Sequence, residues 1–154
     1  MNEDMYPPEK TLDLIYNEVK DALNMQFQSI EGLNTKASVI IGFVGVIIGI
    51  SLQLYSQSNS YLFGSCMTLF MISIFFSFSA YKGKRYRKDP EPRALTVKYL
   101  RKDDETVKKQ LIDNFIVSFE DNKTKIEEKV KYINYSHILL FIGLIVLILS
   151  IIVG

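Results

Sequence analysis

The chain has 154 residues, of which 48% are hydrophobic and 23% are charged, and its formal net charge is +1. One cysteine and one histidine exclude an intrachain disulfide and a Cys/His metal cluster. The charges are unevenly distributed, because residues 37–81 and 132–154 contain no Asp, Glu, Lys or Arg. A hydrocarbon core of about 30 Å needs roughly 20 apolar residues in a helix. The sequence therefore predicts an all-α integral membrane protein with three transmembrane helices.

Residues 1–36 are predicted to form a cytoplasmic amphipathic helix. They contain 3 Lys and 7 Asp or Glu, a charge balance of −4. Their apolar residues recur at helical spacing and share one face. No proline separates this helix from the first apolar stretch, so we expect one continuous helix. The packing residues predicted on its apolar face are Leu12, Val19 and Ile30.

Residues 37–81 are predicted to form a transmembrane hairpin, with spans at about 37–55 and 61–81 and a polar turn between them. In the first span, four small residues lie within about 60° of arc around the helix. Small residues at this spacing allow close helix approach where apolar burial gives no driving force. This glycine stripe is predicted to pack either within the chain or between copies, and it consists of Ser38, Gly42, Gly45 and Gly49.

The second span contains several hydroxyl side chains, among them Ser73 and Ser77. Two interpretations are open at this stage. The hydroxyls form a water-lined face in an oligomeric pore, or they donate hydrogen bonds to backbone carbonyls of the preceding helical turn. No charged residue lies within any span, which argues against a proton relay.

Residues 82–132 are predicted to be a cytoplasmic segment with a basic loop and a second amphipathic helix. The basic cluster is expected to contact lipid headgroups or another anion, and it consists of Lys82, Lys84, Arg85, Arg87 and Lys88. Pro90 and Pro92 break the chain after this cluster, and residues 94–101 are a candidate short helix.

The second amphipathic helix is predicted to begin near residues 103–105, where three acidic residues suit a helix N-terminus. Its predicted packing face consists of Leu111, Phe115, Phe119, Ile126 and Val130. It is expected to continue without a break into the third transmembrane helix, residues 133–154. The apolar faces of the two cytoplasmic helices are expected to pack against each other or against a second subunit.

Lysine and arginine flank the spans on one side only. They follow the second span and precede the third, whereas the turn at 56–60 has none. The positive-inside rule therefore predicts a plasma-membrane protein with a cytoplasmic N-terminus and a C-terminus outside.

No catalytic signature is present in the sequence. It has no HExxH, GxSxG, P-loop or glycine-rich dinucleotide turn. We expect a protein without enzymatic activity, cofactor or metal, and with no nucleic-acid partner. Its expected partners are membrane lipids, further copies of itself, and a cytoplasmic protein or nucleotide signal.

The entry to the first span resembles a known family. Asn34, Lys36, Ala37 and Ser38 form a juxtamembrane motif that resembles the one in Pycsar-type transmembrane effectors, small membrane proteins of prokaryotic anti-phage nucleotide signalling. The layout of an amphipathic helix, a hairpin of spans, charged cytoplasmic helices and a final span is also similar. The resemblance implies a cytoplasmic cue, oligomerisation and membrane disruption.

Two functions are consistent with these features. The first is an oligomeric membrane effector that responds to a cytoplasmic signal by perturbing or permeabilising the membrane. The second is a non-enzymatic membrane anchor or docking subunit for a cytoplasmic partner.

Overall fold

The computed structural model describes residues 8–55, 58–88, 97, 99 and 102–154, and the regular elements of these residues are helices. Three long helices are α1 (Pro8–Gln53), α2 (Ser60–Tyr81) and α3 (Asp104–Val153). Each of the three is long and apolar enough to cross a membrane. The predicted all-α architecture with three candidate spans is confirmed. Both predicted continuous helices are also present, since α1 has 46 residues and α3 has 50.

Side-chain caps mark the starts of α2 and α3. Asn59 Oδ1 accepts from the backbone N–H of Leu62 (3.3 Å) at the start of α2. Asp103 Oδ2 accepts from the N–H of Thr106 (2.9 Å) at the start of α3. Each cap satisfies a donor that the first helical turn leaves unpaired. The predicted start of the third helix is therefore confirmed.

Parts of two predicted features lie outside the described residues. These parts are Ser56 and Gln57 of the polar turn, and Pro90 and Pro92 after the basic cluster. In the candidate helix at 94–101, Val97 and Tyr99 are helical, and the other positions also lie outside the described residues.

The chain divides into two compact units. The stalk unit comprises the described residues up to Ile30 together with Lys84–Lys125. The spanning unit comprises Glu31–Gly83 and Ile126–Gly154. Each unit has its own hydrophobic cluster.

The core of the spanning unit follows a heptad-like pattern. Buried positions alternate at intervals of three and four along each helix, which is the spacing of knobs-into-holes packing. On α2 the buried residues are Phe63, Cys66, Phe70, Ser73, Ser77 and Ala80. On α1 and α3 they include Ala37, Ile40, Val44, Ile133, Leu140 and Leu147.

The stalk unit buries the apolar faces of α1 and α3 against each other within one chain. Leu23, Leu111 and Phe115 form the buried cluster, and partly buried apolar side chains, including Val19 and Phe119, pack around it. The rings of Tyr16 and Phe115 lie 5.8 Å apart between centroids. The predicted pairing of the two cytoplasmic faces is thus intramolecular in the described residues.

The predicted packing residues have different degrees of burial. Ile30, Leu111 and Phe115 are buried, whereas Leu12, Val19, Phe119 and Ile126 are half-buried. Val130 lies outside the buried face of α3, because its side chain is 37% exposed whereas the adjacent Lys129 is only 1% exposed; its packing against a second subunit stays a prediction. The heptad-like register of α3 runs from Lys129 through Ile133 and Ser136, and Val130 lies about 100° away from Lys129 around the helix.

Candidate functional site

The glycine stripe is on an open face of α1. Gly42, Gly45 and Gly49 are exposed. Apart from adjacent residues and the nearby backbone of α1, no atom would lie within 4 Å of a Cβ added at any of them. The hydroxyl of Ser38 is also exposed and donates to the carbonyl of Asn34, one turn earlier (3.0 Å). The described residues therefore do not use the stripe for packing within the chain. Packing between copies, the other predicted use, stays a prediction.

A glycine that the sequence analysis did not select makes the close helix contact inside the chain. Gly143 of α3 is buried, and a Cβ added there would lie 2.6 Å from Cε1 of Phe70 on α2. Phe70 itself is fully buried. The available signal was the register of Gly143 in α3, three residues after Leu140 and four before Leu147.

Three serines form a hydrogen-bonded cluster between α2 and α3. The Ser136 hydroxyl lies 2.9 Å from that of Ser73 and 2.7 Å from that of Ser77. Ser73 and Ser136 also exchange bonds between hydroxyl and backbone carbonyl, at 2.9 and 2.8 Å. All three side chains are fully buried. Ser73 and Ser77 therefore fit neither sequence interpretation in this fold, because they join two helices instead of facing water or their own helical turn.

Other hydroxyls of α2 follow the second interpretation. Ser65, Thr68 and Ser79 each donate to a carbonyl four residues earlier on their own helix. Bonds of this kind satisfy the hydroxyl inside an apolar environment without a partner helix.

The juxtamembrane motif includes a polar contact between α1 and α3. The Nζ of Lys129 donates to Oδ1 of Asn34, joining α3 to α1 in the spanning unit. Ala37 is fully buried, whereas Lys36 and Ser38 are exposed. A buried ammonium is costly without hydrogen-bond partners, so Asn34 has a direct structural role. The sequence analysis selected Asn34 but missed Lys129, which follows the core register of α3.

Within the stalk unit, side chains of α3 form hydrogen bonds with the backbone of the basic segment. The amide side chain of Asn122 accepts from the N–H of Arg87 (2.8 Å) and donates to the carbonyl of Arg87 (3.0 Å). Lys125 Nζ donates to the carbonyl of Arg85 (3.1 Å). The Lys88 ammonium lies 4.8 Å from the centroid of the Phe27 ring. Of the predicted cluster, Lys84 to Lys88 belong to the stalk unit and Lys82 to the spanning unit.

One ion pair between α1 and α3 lies at the surface of the stalk unit. Lys108 Nζ lies 2.6 Å from Asp13 Oδ1, joining α3 to α1. Both side chains are substantially exposed, and such pairs contribute about 0–1 kcal/mol. Burial raises the pKa of the Tyr86 phenol, and the charges of Lys84 and Lys125 oppose this rise.

Cys66 and His137 are the single cysteine and the single histidine of the chain. Cys66 is buried, and its Sγ donates to the carbonyl of Phe63 (3.0 Å), while His137 is half-buried. Among the residues that the structure describes, no three His, Cys, Asp or Glu side chains are grouped so as to hold a metal ion.

The chain matches no protein-family model, no curated protein and no solved structure.

Proposed function

We propose that this chain is a membrane-embedded oligomeric effector, without catalytic activity, that perturbs the membrane in response to a cytoplasmic signal. The observation that supports the proposal most is the exposed glycine stripe. It lies on a helix able to cross a membrane, and three of its four residues leave open space beside the backbone.

The stripe matters because of what drives association in a bilayer. Lipid tails are as apolar as leucine, so apolar side chains alone give little reason for copies to associate. Small residues permit close backbone contact and therefore van der Waals gain between helices. In this proposal, copies of the chain associate through Ser38, Gly42, Gly45 and Gly49, and the stalk unit is on the cytoplasmic side, as the Lys and Arg distribution predicts.

In this proposal, the continuous helices α1 and α3 transmit the response to a signal from the stalk unit to the spans. Both α1 and α3 contribute residues to the stalk unit and to the spanning unit. A partner or ligand that favours one arrangement of the stalks can shift the spans only through a difference in its affinity for the two arrangements. The proposed output is a change in the packing of spans that permeabilises the plasma membrane.

The test is membrane potential after induced expression in bacterial cells, with and without co-expressed genomic neighbours. We expect the parent chain to depolarise cells and the double variant Gly45→Leu/Gly49→Leu to be inactive at equal membrane level. Gly64→Leu is a matched control, because Gly64 is also exposed with no neighbour within 4 Å but lies on α2. Equal depolarisation by the parent and the double variant would contradict the role of the stripe.

The alternative function is a non-enzymatic docking subunit, and one observation favours it. The stalk unit exposes large apolar side chains, including Leu14 (61%) and Met25 (65%). Outside a membrane, exposed apolar surface often marks an interaction site. A stoichiometric partner that is lost in Leu14→Glu and Met25→Glu variants, without any membrane leak by the parent, would support this alternative over the effector.

A further inference from the structure

A lysine is buried at the border of the charge-free stretches in the spanning unit. Lys129 lies three residues before Tyr132, where the charge-free C-terminal stretch begins, and its side chain is only 1% exposed. Its ammonium donates to Oδ1 of Asn34, which lies three residues before the charge-free stretch that begins at residue 37. Because stretches of this length match the hydrocarbon core, a bilayer around the spans would have its headgroups at the level of this contact.

The burial of Lys129 contrasts with the exposure of its neighbouring lysines. Lys36 and Lys131 lie at the same borders and are exposed. A lysine at the end of a span normally keeps its ammonium in the headgroup layer, where water and lipid phosphates solvate it. Lys129 instead occupies a core position of α3, in register with the buried Ile133 and Ser136. Its charge is therefore kept away from the lipid only while α1 and α3 are packed together.

The packed arrangement and a separated one differ in how they solvate this charge. Removing an ammonium from water is costly, and hydrogen bonds to polar partners offset part of that cost. The Asn34 amide accepts such a bond but has no charge of its own. If α1 and α3 separated here, the ammonium would reach the headgroup layer, where anionic lipids attract it. Lys129 therefore makes the packing of the two helices sensitive to the charge of the surrounding lipid.

We propose that Lys129 is a lipid-sensitive latch. Anionic phospholipid headgroups bind its ammonium and thereby favour an arrangement in which α1 and α3 are separated beside Asn34. The lipid shifts this equilibrium because it binds the released ammonium better than the buried one. Lys36 and Lys131 are exposed in the packed arrangement as well, so their attraction to lipid largely cancels. The latch acts within one chain and does not depend on the proposed effector function.

The experiment measures the distance between α1 and α3 by pulsed electron paramagnetic resonance, in nanodiscs that hold one chain each. Spin labels are attached through Thr35→Cys and Asn134→Cys, at exposed positions of the two helices, in a chain whose single cysteine is removed by Cys66→Ser. We expect the ratio of separated to packed chains to be about fivefold higher in phosphatidylglycerol than in phosphatidylcholine, since one lysine near an anionic surface contributes about 1 kcal/mol.

Three variants of this labelled chain distinguish the latch from a general effect of lipid charge. Lys129→Met keeps an unbranched side chain without its charge, and apolar replacement of a buried ion is often neutral or stabilising, so it should show the packed distance in both lipids. Lys131→Met is the matched control, because Lys131 is exposed, and it should respond to phosphatidylglycerol as the parent does. Asn34→Ala removes an acceptor of the buried ammonium and should raise the separated fraction in both lipids.

Equal ratios in the two lipids for the parent, or a parental response in Lys129→Met, would overturn the proposal. It would also be overturned by a Lys129→Met chain that is separated in phosphatidylcholine, or by loss of the response in Lys131→Met, which would indicate an effect of overall surface charge. The Gly45→Leu/Gly49→Leu variant should respond as the parent does, because each nanodisc holds a single chain. This result is therefore separate from the outcome of the depolarisation test.

Discussion

Substitution of Gly143 by alanine tests the packing of the spanning unit most sharply. The added Cβ would lie 2.6 Å from Cε1 and 2.9 Å from Cδ1 of Phe70. Ordinary contact begins at 3.4 Å, so the nearer atom is 0.8 Å too close. Phe70 is fully buried in the hydrophobic cluster, and its ring therefore cannot retreat without displacing other side chains.

The expected cost follows from two opposing effects. Overpacking a well-filled core costs about 1–3 kcal/mol, whereas replacing glycine by alanine inside a helix stabilises it by about 1 kcal/mol. Gly45→Ala is the matched control, because it gains the same helix propensity with no atom within 4 Å. The propensity contribution cancels in the comparison, so Gly143→Ala should be less stable than Gly45→Ala by about 1–3 kcal/mol.

The chain provides its own reporter for this measurement. Cys66 is the single cysteine and is fully buried on α2. A thiol-reactive fluorophore should therefore label it only when the helices separate. In a thermal ramp in detergent, Gly143→Ala should be labelled several degrees below Gly45→Ala, at about 2–4 °C per kcal/mol. Adding Phe70→Leu to Gly143→Ala should recover part of the difference. Equal labelling temperatures for the two alanine variants would refute the proposed contact.

Three further predictions concern polar contacts. Ser136→Ala removes the residue that bonds both Ser73 and Ser77, and should lower the stability measured with Cys66 by about 0.6–1.7 kcal/mol; unchanged stability would argue against the cluster. Asn34→Ala removes an acceptor from the buried Lys129 ammonium, and should lower stability by about 1–3 kcal/mol in the same labelling assay, so an unaffected labelling temperature would contradict this contact. The hydrogen bond from the backbone N–H of Thr106 is the main cause of the lowered pKa of the Asp103 carboxyl. The ionised cap therefore stabilises α3 fully at pH values above the ordinary aspartate pKa. This stabilisation is lost as the pH falls through the lowered pKa of Asp103. Amide exchange at the start of α3 should therefore accelerate on acidification, and Asp103→Ala should remove this pH dependence.

The sequence predicted the helices and their ends from strong local signals. Charge-free stretches, the polar turn between the first two spans and the acidic residues at 103–105 locate α2, α3 and the end of α1 to within a few residues. These signals are local because bilayer insertion and N-capping act on a single segment. In the stalk unit, amphipathic spacing predicted the apolar faces of α1 and α3 but left open whether they pack within one chain or between chains; the described residues pack them within one chain.

The sequence did not predict which face of each span turns inward. A span is apolar on all sides, because lipid and protein core are both apolar environments, so its hydrophobic pattern carries little orientation information. The glycine stripe was therefore an ambiguous signal, and the buried role of Gly143 was missed. Val130 was predicted to pack from the amphipathic spacing of its helix, whereas the buried position beside it is Lys129. Polarity argued against Lys129, although its contact with Asn34 makes its burial possible.

The most direct test of the proposed assembly is energy transfer between fluorescently tagged copies of the chain in liposomes at fixed lipid-to-protein ratio. The account predicts transfer above the level of a density-matched monomeric membrane protein. It also predicts loss of that transfer in Gly45→Leu/Gly49→Leu and its retention in Gly64→Leu, with Cys66 equally protected in all three chains. Transfer at the monomer level for the parent, or undiminished transfer for the double variant, would contradict association through the glycine stripe.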